Sequence, residues 1–293
     1  MQIVTDSGTD CGLTAAEAKQ LKVHINPLTV SLAGQTYLEG ADLDVPAFYS
    51  LLDHLQDELP TTSQPSVGSF VELYRRLAPK DPEILSIHIS SGLSGTVNAA
   101  RSAADMVPEA QVTVVDTKTL SAAAGWQVLL AARAAASGWA KARILAALEE
   151  MSRATQSLYT LKELRYLIHG GRISHMSGLL AAVLNIKPII GVDTARGIYE
   201  QRGQARSFQG ALKTLVDGME KLFGREVPLR VQVMHALNPQ GAEQLEARIT
   251  ERFHVHWLPA GRISLVLGAH TGPSMVAAAF APEALFTRFG LDV

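Results

Sequence analysis

A single cysteine, Cys11, occurs in the 293 residues, so neither an internal disulfide framework nor a cysteine-rich zinc site can be built. That usage points to a reducing compartment, and the cytoplasm is the expected location. Charge is sparse, at 18% of residues, and no apolar run is long enough to cross a bilayer as one helix. The longest uncharged stretch, Ile263 to Pro282, is interrupted by His270, Gly272 and Pro273. Met1 leads into Gln2-Ile3-Val4-Thr5-Asp6 without a basic and then apolar leader, so no signal peptide and no membrane insertion are expected. Transient contact with a membrane surface is compatible with the chain.

Several chemical signatures are missing as well. Neither Gly-x-Gly-x-x-Gly nor a glycine loop ending in Lys-Ser/Thr occurs, which leaves nucleotide binding by this chain unsupported. Gly-x-Ser-x-Gly is absent too, since Gly92-Leu93-Ser94-Gly95 has the wrong spacing for a strained nucleophile turn. The nine histidines form one close pair, His254-Val255-His256, with no third ligand nearby, so no metal and no cofactor are expected.

What is present is a globular composition, 47% hydrophobic, in a chain long enough for roughly two domains at about 150 residues each. The net charge of -2 hides an asymmetry: residues 1–150 are acidic, whereas residues 151–213 carry nine Lys and Arg against three acids. Such a stretch suits an anionic ligand or an acidic partner. It lacks the interleaved aromatics of a nucleic-acid surface, so no nucleic acid partner is expected.

Strand and helix patterns alternate. Ile3-Val4-Thr5-Asp6 reads as a buried strand, followed by a helix capped by Thr14, and Val23 to Leu32 reads as a second strand. A helix opens at Val45-Pro46. Residues Pro60 to Ser66 form a loop, and Ser66 caps a helix from Val67 to Leu77. Ile84 to Ile89 and Gln111 to Val115 are strands, with an Ala-rich helix between them and a long one from Ser121 to Ala136. Beyond residues 153–157, where the domain boundary is placed, the pattern changes. Ser157-Leu158-Tyr159 is strand, Lys162 to His169 is helix with Gly170 as its C′ residue, and Val183 to Val192 pairs with Ile198 to Gln201. Phe208 to Phe223 and Pro239 to Phe253 are helices. Leu229 to His235 and Ile263 to Gly268 are strands. The fold class is therefore α/β in two domains: a mainly parallel sheet with flanking helices over 1–155, and a mixed sheet over 156–273. Residues 274–293 are expected to pack back on the first domain, with the ligand between the two.

Three polar loops stand out: Thr5-Asp6-Ser7, Thr61 to Ser66, and Ser90 to Thr96. In doubly wound sheets such loops converge on a crevice at the carboxyl ends of the strands, and uncharged hydroxyls beside free backbone N–H groups suit a carboxylate or phosphate. Capping and turn chemistry explains any one of them more often than not, and it is the three together that point to a binding crevice. In the second half, Arg172 follows Gly170-Gly171, and His270 follows the strand expected at Ile263 to Gly268. Both can bind an anion, Arg172 in two-pronged fashion and His270 as a donor near neutrality.

Taken together, Thr5-Asp6-Ser7, Thr62-Ser63-Gln64-Pro65-Ser66, Ser91-Gly92-Leu93-Ser94-Gly95-Thr96, Asp116-Thr117, Leu164-x-Tyr166-x4-Gly171-Arg172-Ile173-Ser174, Asn185-Ile186-Lys187-Pro188-Ile189 and His270-Thr271-Gly272-Pro273 resemble the DegV family, in order and over nearly the whole chain. The resemblance implies a carrier that binds one long-chain fatty acid and presents its carboxylate to a separate ATP-binding fatty acid kinase subunit. The product is an acyl phosphate for phospholipid synthesis, and the carrier itself is no enzyme. By the same resemblance Thr62 and Ser94, with Ser63 and Gly95, hold the carboxylate, and Arg172 and His270 lie near the acyl phosphate. Residues 178–184, with Ile186, Ile189 and Ile190, are candidate tunnel walls. One departure is Ser274-Met275 after His-Thr-Gly-Pro, where the family usually has Gly, which places Met275 near the crevice. Another is Gly8 and Cys11 in the first loop. The competing reading is an acyl hydrolase or transferase that uses Ser94.

Overall fold

A computed structural model describes residues 1–40, 42–55, 58–173, 176 and 186–290. The first half runs β1 (Gln2–Asp6), α1 (Ala15–Gln20), β2 (Val23–Asn26), β3 (Thr29–Leu32), β4 (Gln35–Leu38), α2 (Val45–His54), β5 (Thr61–Ser63), α3 (Val67–Leu77), β6 (Glu83–His88), α4 (Thr96–Asp105), β7 (Gln111–Asp116), α5 (Ser121–Ala136) and α6 (Lys141–Ala154). The second half runs β8 (Gln156–Thr160), α7 (Arg165–Gly170), β9 (Lys187–Asp193), β10 (Ile198–Ala205), α8 (Phe208–Phe223), β11 (Leu229–His235), α9 (Pro239–Thr250), β12 (Val255–Trp257), β13 (Gly261–Arg262), α10 (Leu265–Thr271), β14 (Val276–Pro282) and α11 (Glu283–Phe289).

The α/β fold expected from the sequence is what forms. One sheet, in the order β2-β1-β6-β7, is parallel throughout. All five residues of β1 are buried, because helices cover both faces of a parallel sheet. Val4 and Ile84 pack with Phe70, Tyr74 and Leu77 of α3 and with Ala100 and Ala103 of α4. Ile3, Leu85 and Ile87 share a core with Trp126 of α5 and Leu148 of α6. A second, mixed sheet has the order β10-β9-β8-β14-β11-β12, with β13 also on β11. A third, β4-β3-β5, is a small antiparallel sheet.

Several local expectations change. Val23 to Leu32 is two strands in two sheets, since Pro27, with no N–H to donate, lies between β2 and β3. Thr61 to Ser63 is not loop but β5, in which Val30 pairs with Thr62. Ile263 to Gly268 is not a strand. Its apolar run belongs to α10, whose buried residues include Leu265, Val266, Leu267 and Ala269. A buried helix and a buried strand cannot be told apart by a short apolar run alone. Here two distant carboxylates hold the start of the helix: Asp10 accepts from Ser264 N at 2.9 Å and Glu39 from Val266 N at 3.3 Å. Gly170 is the last residue of α7, and Gly171, at φ 72°, is the left-handed one that ends it.

Of residues 274–293, the part in β14 runs antiparallel between β8 and β11, in the interior of the mixed sheet. It is α11 that reaches the first half, where Phe286 stands edge-on to Trp126 with ring centroids 5.2 Å apart.

Candidate functional site

Thr62, Ser94, Arg172 and His270, scattered over 208 positions of sequence, line one cavity. The shortest link is between Thr62 Oγ1 and His270 Nε2, 2.7 Å apart. Strand alternation on β5 half-buries Thr62 and leaves Thr61 and Ser63 exposed, so Ser63 lies off the cavity wall. Gln64 takes part instead. It comes close because residue 95 is glycine: a Cβ there meets Gln64 Nε2 at 2.9 Å. Gly95 thus admits a neighbour rather than lining the cavity itself.

Ser94 sits in the loop between β6 and α4, with its hydroxyl 2.8 Å from Thr96 Oγ1. The loop is fastened across the molecule. Ser90 Oγ donates to Gly197 O at 2.7 Å, and Ser91 Oγ donates to Asp116 at 2.5 Å. Gly92 lies so close to the β9-β10 turn that a Cβ would collide with Gly197 O. Burial opposes ionisation of Asp116, but hydrogen bonds from Ser91 and Lys118 outweigh it and hold the carboxyl below its usual range.

Arg172 follows directly on Gly171, and its guanidinium donates to the Gly170 carbonyl and, at 3.5 Å, to Leu93 O. This joins the loop after α7 to the Ser94 loop. His270 occupies the last turn of α10, beside Gly170, where an added Cβ would collide with its Nδ1. Gly272 ends α10 at φ 72°, and a Cβ there would run into the Tyr166 ring. Helix α7, through Tyr166 and Gly170, and the His270-Thr271-Gly272 segment are therefore packed on each other.

Burial, and then the nearby Arg172 and His169, hold the His270 pKa down to about 4. The imidazole is neutral at pH 7, so it serves the site as a hydrogen-bond donor or acceptor and leaves Arg172 as the charged group. A histidine whose folded pKa lies below its unfolded value favours the folded state fully above the unfolded pKa, near 6.5. That contribution is lost as pH falls from 6.5 toward 4. The expected slope is up to about 1.4 kcal/mol per pH unit. Urea titrations across that window should show a shallower loss for His270→Gln than for the unaltered chain; parallel loss would contradict the neutral imidazole.

The cavity is narrow, about 40 Å³, and its remaining walls are apolar: Leu28, Ile89, Leu93, Leu120, Tyr199, Val266 and Leu267. Leu120, Tyr199 and Leu267 also line a second slot of about 40 Å³, so the two adjoin. The second slot is walled by Ala122, Ala123, Ala277, Ala278 and Ala279, with Met234, Met275, Tyr159 and Ile263 among the larger side chains. Small residues on α5 and β14 leave the space. Met275 therefore does enter the wall, on the apolar side. Ile189 and Ile190 face opposite cores, and neither they nor Ile186 lines a slot; residues 178–184 lie outside the described residues.

Sequence reasoning missed a buried network, Asp6, His88, Ser86 and Tyr74. His88 Nδ1 is 2.9 Å from Asp6 Oδ2, and its Nε2 is 2.7 Å from Ser86 Oγ, which is 2.8 Å from Tyr74 OH. The order mimics an acyl-transfer triad. Asp6, Ser86, His88 and Tyr74 are all 0% exposed, so no substrate reaches Ser86 and the network serves to satisfy polar groups under α3. Ser94, the nucleophile of the hydrolase reading, is bonded to Thr96, while the nearby imidazole is bonded to Thr62. Among the described residues no group of three His, Cys, Asp or Glu is placed to hold a metal ion, and no helix is long and apolar enough to cross a membrane.

The family model described as "Uncharacterised protein, DegV family" matches residues 1–283. A DegV domain-containing protein of Deinococcus radiodurans is 33% identical over 288 residues, covering 96% of each chain. One from Staphylococcus aureus is 32% identical over 274 residues, covering 94% of this chain and 96% of the other. Among solved structures, a Thermus thermophilus DegV family protein described by its fatty acid binding superposes with a TM-score of 0.86 at 29% identity, covering 96% of this chain and 99% of its own. Bacillus subtilis DegV, described as a fatty acid binding protein, gives 0.84 at 28%, over 96% and 99%. With a matching fold, a family model spanning nearly the whole chain and relatives above 30% identity, the chain belongs to the DegV family.

Proposed function

We propose that the chain binds one long-chain fatty acid, with its carboxylate among Thr62, Ser94 and His270, Arg172 standing beside it where the acyl phosphate forms, and its tail in the alanine-walled slot. The observation that carries this reading is the junction itself: four neutral polar side chains, Thr62, Gln64, Ser94 and His270, and one cation at one end of a cavity whose other end is apolar. A carboxylate gains charge-assisted hydrogen bonds at the first end, and methylenes leave water at the second. The T. thermophilus and B. subtilis relatives support the same ligand class. The slots are far smaller than the roughly 300 to 1,000 Å³ of common ligand pockets, so a long chain must part the walls. Met234 and Met275, unbranched and adaptable, are suited to move.

The finer reading is that a separate ATP-binding kinase subunit, in the cytoplasm, phosphorylates the bound carboxylate. One carboxylate oxygen attacks the γ-phosphorus, the bond to the ADP oxygen breaks, and an acyl phosphate results. Such transfer depends on positioning and charge stabilisation, which Arg172 and the neutral donors supply without covalent participation. Since the Ser94 hydroxyl is paired with Thr96, no base is bonded to it among the described residues, and the buried Ser86 is out of reach, carriage is favoured over hydrolysis.

A ligand that binds only the folded state stabilises it by about 2.7 kcal/mol at a hundred times its dissociation constant. Added palmitate or oleate should therefore raise the melting temperature by several degrees, whereas a matched alkane without the carboxylate should raise it less. No shift with either fatty acid would count against the reading.

A further inference from the structure

The two slots meet at a neck made by three side chains, Leu120, Tyr199 and Leu267, the residues that border both. Each side of the neck is tied down. Leu120 precedes Ser121, whose Oγ donates to Asp10 at 2.5 Å, and the same carboxylate accepts from Ser264 N, at 2.9 Å, where the helix that carries Leu267 begins. Asp10 and Ser121 hold left-handed backbone at φ 45° and 51°, which non-glycine residues keep only where their surroundings enforce it. Tyr199 is 4% exposed, its phenol and that of Tyr159 are hydrogen-bonded to each other, and the two rings stand edge-on with centroids 5.5 Å apart. Two residues earlier, Gly197 O accepts from Ser90 Oγ at 2.7 Å, which fastens the turn into Tyr199 to the loop that carries Ser94. Beyond the neck the walls are of another kind. Alanines of α5 and β14 leave space, and the larger residues include Met234 and Met275, whose unbranched side chains repack at low cost.

We propose that the neck selects fatty acids that are unbranched next to the carboxylate, and that Tyr199 is the residue that sets its bore. This rests on the fatty acid reading above and names the class of tail the site takes. With the carboxylate at Thr62 and Ser94, the carbons that follow it pass between Tyr199, Leu120 and Leu267 before they reach the alanine-walled slot. A methyl branch on those carbons needs room that three fixed side chains do not give, and overfilling a packed space is costly. The same branch farther along meets the adaptable methionines. Discrimination therefore depends on where the branch sits, and it comes from packing, with the carboxylate contacts unchanged.

The test is displacement of a fluorescent fatty acid by palmitate and by palmitates with one methyl branch, moved stepwise from the carboxyl end toward the tail tip. The proteins compared are the unaltered chain, Tyr199→Leu, and Tyr199→Leu combined with Tyr159→Phe, which removes both phenols together. The unaltered chain should bind isomers branched next to the carboxylate about tenfold or more weakly than palmitate, the scale of overfilling a packed space. Isomers branched near the tip should bind nearly as well as palmitate. Tyr199→Leu should bind both groups alike. A variant that merely loses structure weakens all ligands alike and leaves their ratio as it was, so the ratio reads the bore of the neck. If palmitate binds and the position of the branch makes no difference, or if the penalty next to the carboxylate persists in both variants, the assignment is overturned while the carrier reading stands. If neither palmitate nor any isomer binds, the carrier reading falls first. The position dependence in the unaltered chain decides the matter even if the variants fold poorly.

Discussion

Arg172→Ala is expected to keep fatty acid bound and to slow acyl phosphate formation about a hundredfold, the usual scale for removing one group that stabilises transition-state charge. The reason lies in where Arg172 stands. It is exposed at the cavity wall, tied by its guanidinium to the Gly170 and Leu93 carbonyls, and with His270 neutral it is the cation of the cluster. Charge on the transferring phosphoryl group grows during the reaction, so the loss should fall on turnover more than on binding. The measurement is transfer of labelled phosphate in a mixture of kinase subunit, ATP and loaded carrier, beside lipid binding by the same variant. Equal loss of binding and transfer would move Arg172 into the carboxylate site, and normal transfer would remove it from the chemistry.

Thr62→Val together with Ser94→Ala should weaken fatty acid binding at least tenfold with the fold intact. Hydrogen bonds to a charged group are worth about 1.5 to 3 kcal/mol each, and both side chains are half-buried at the polar end. Thr62 carries a second role, because removing its hydroxyl also strips His270 Nε2 of its partner. His270→Ala is accordingly expected to reduce binding as Thr62→Val does, which groups His270 with the carboxylate contacts and not with Arg172. Titration of the double variant with oleate gives the answer; unchanged affinity would contradict the placement.

The residues of the site are legible in the sequence, but their arrangement is legible only in part. Thr62, Ser94, Arg172 and His270 stand in short polar motifs that turn out to share one cavity. Ser63 groups with Thr62 only as long as the segment reads as loop. Pairing with β3 makes it strand, and strand alternation turns Ser63 outward. His270 reads as following a strand, whereas the Asp10 and Glu39 carboxylates, 227 to 254 positions away, set the start of a helix there. Contacts of such range leave no local signal. The bulky apolar residues after 178 are the natural place to seek a tail slot in the sequence. The slot seen is walled by alanines, which read as helix formers and give no hint that Val276–Pro282 is an interior strand. The parallel sheet is readable because β1, β6 and β7 are short β-branched runs separated by helical spacing.

Native mass spectrometry of the full chain after incubation with an equimolar mixture of palmitate and oleate tests the central claim most directly. The account predicts a single added mass of one fatty acid per chain, released on denaturation and strongly reduced in the Thr62→Val, Ser94→Ala double variant. A folded chain that carries no fatty acid, or that carries several with equal ease in both forms, would contradict it.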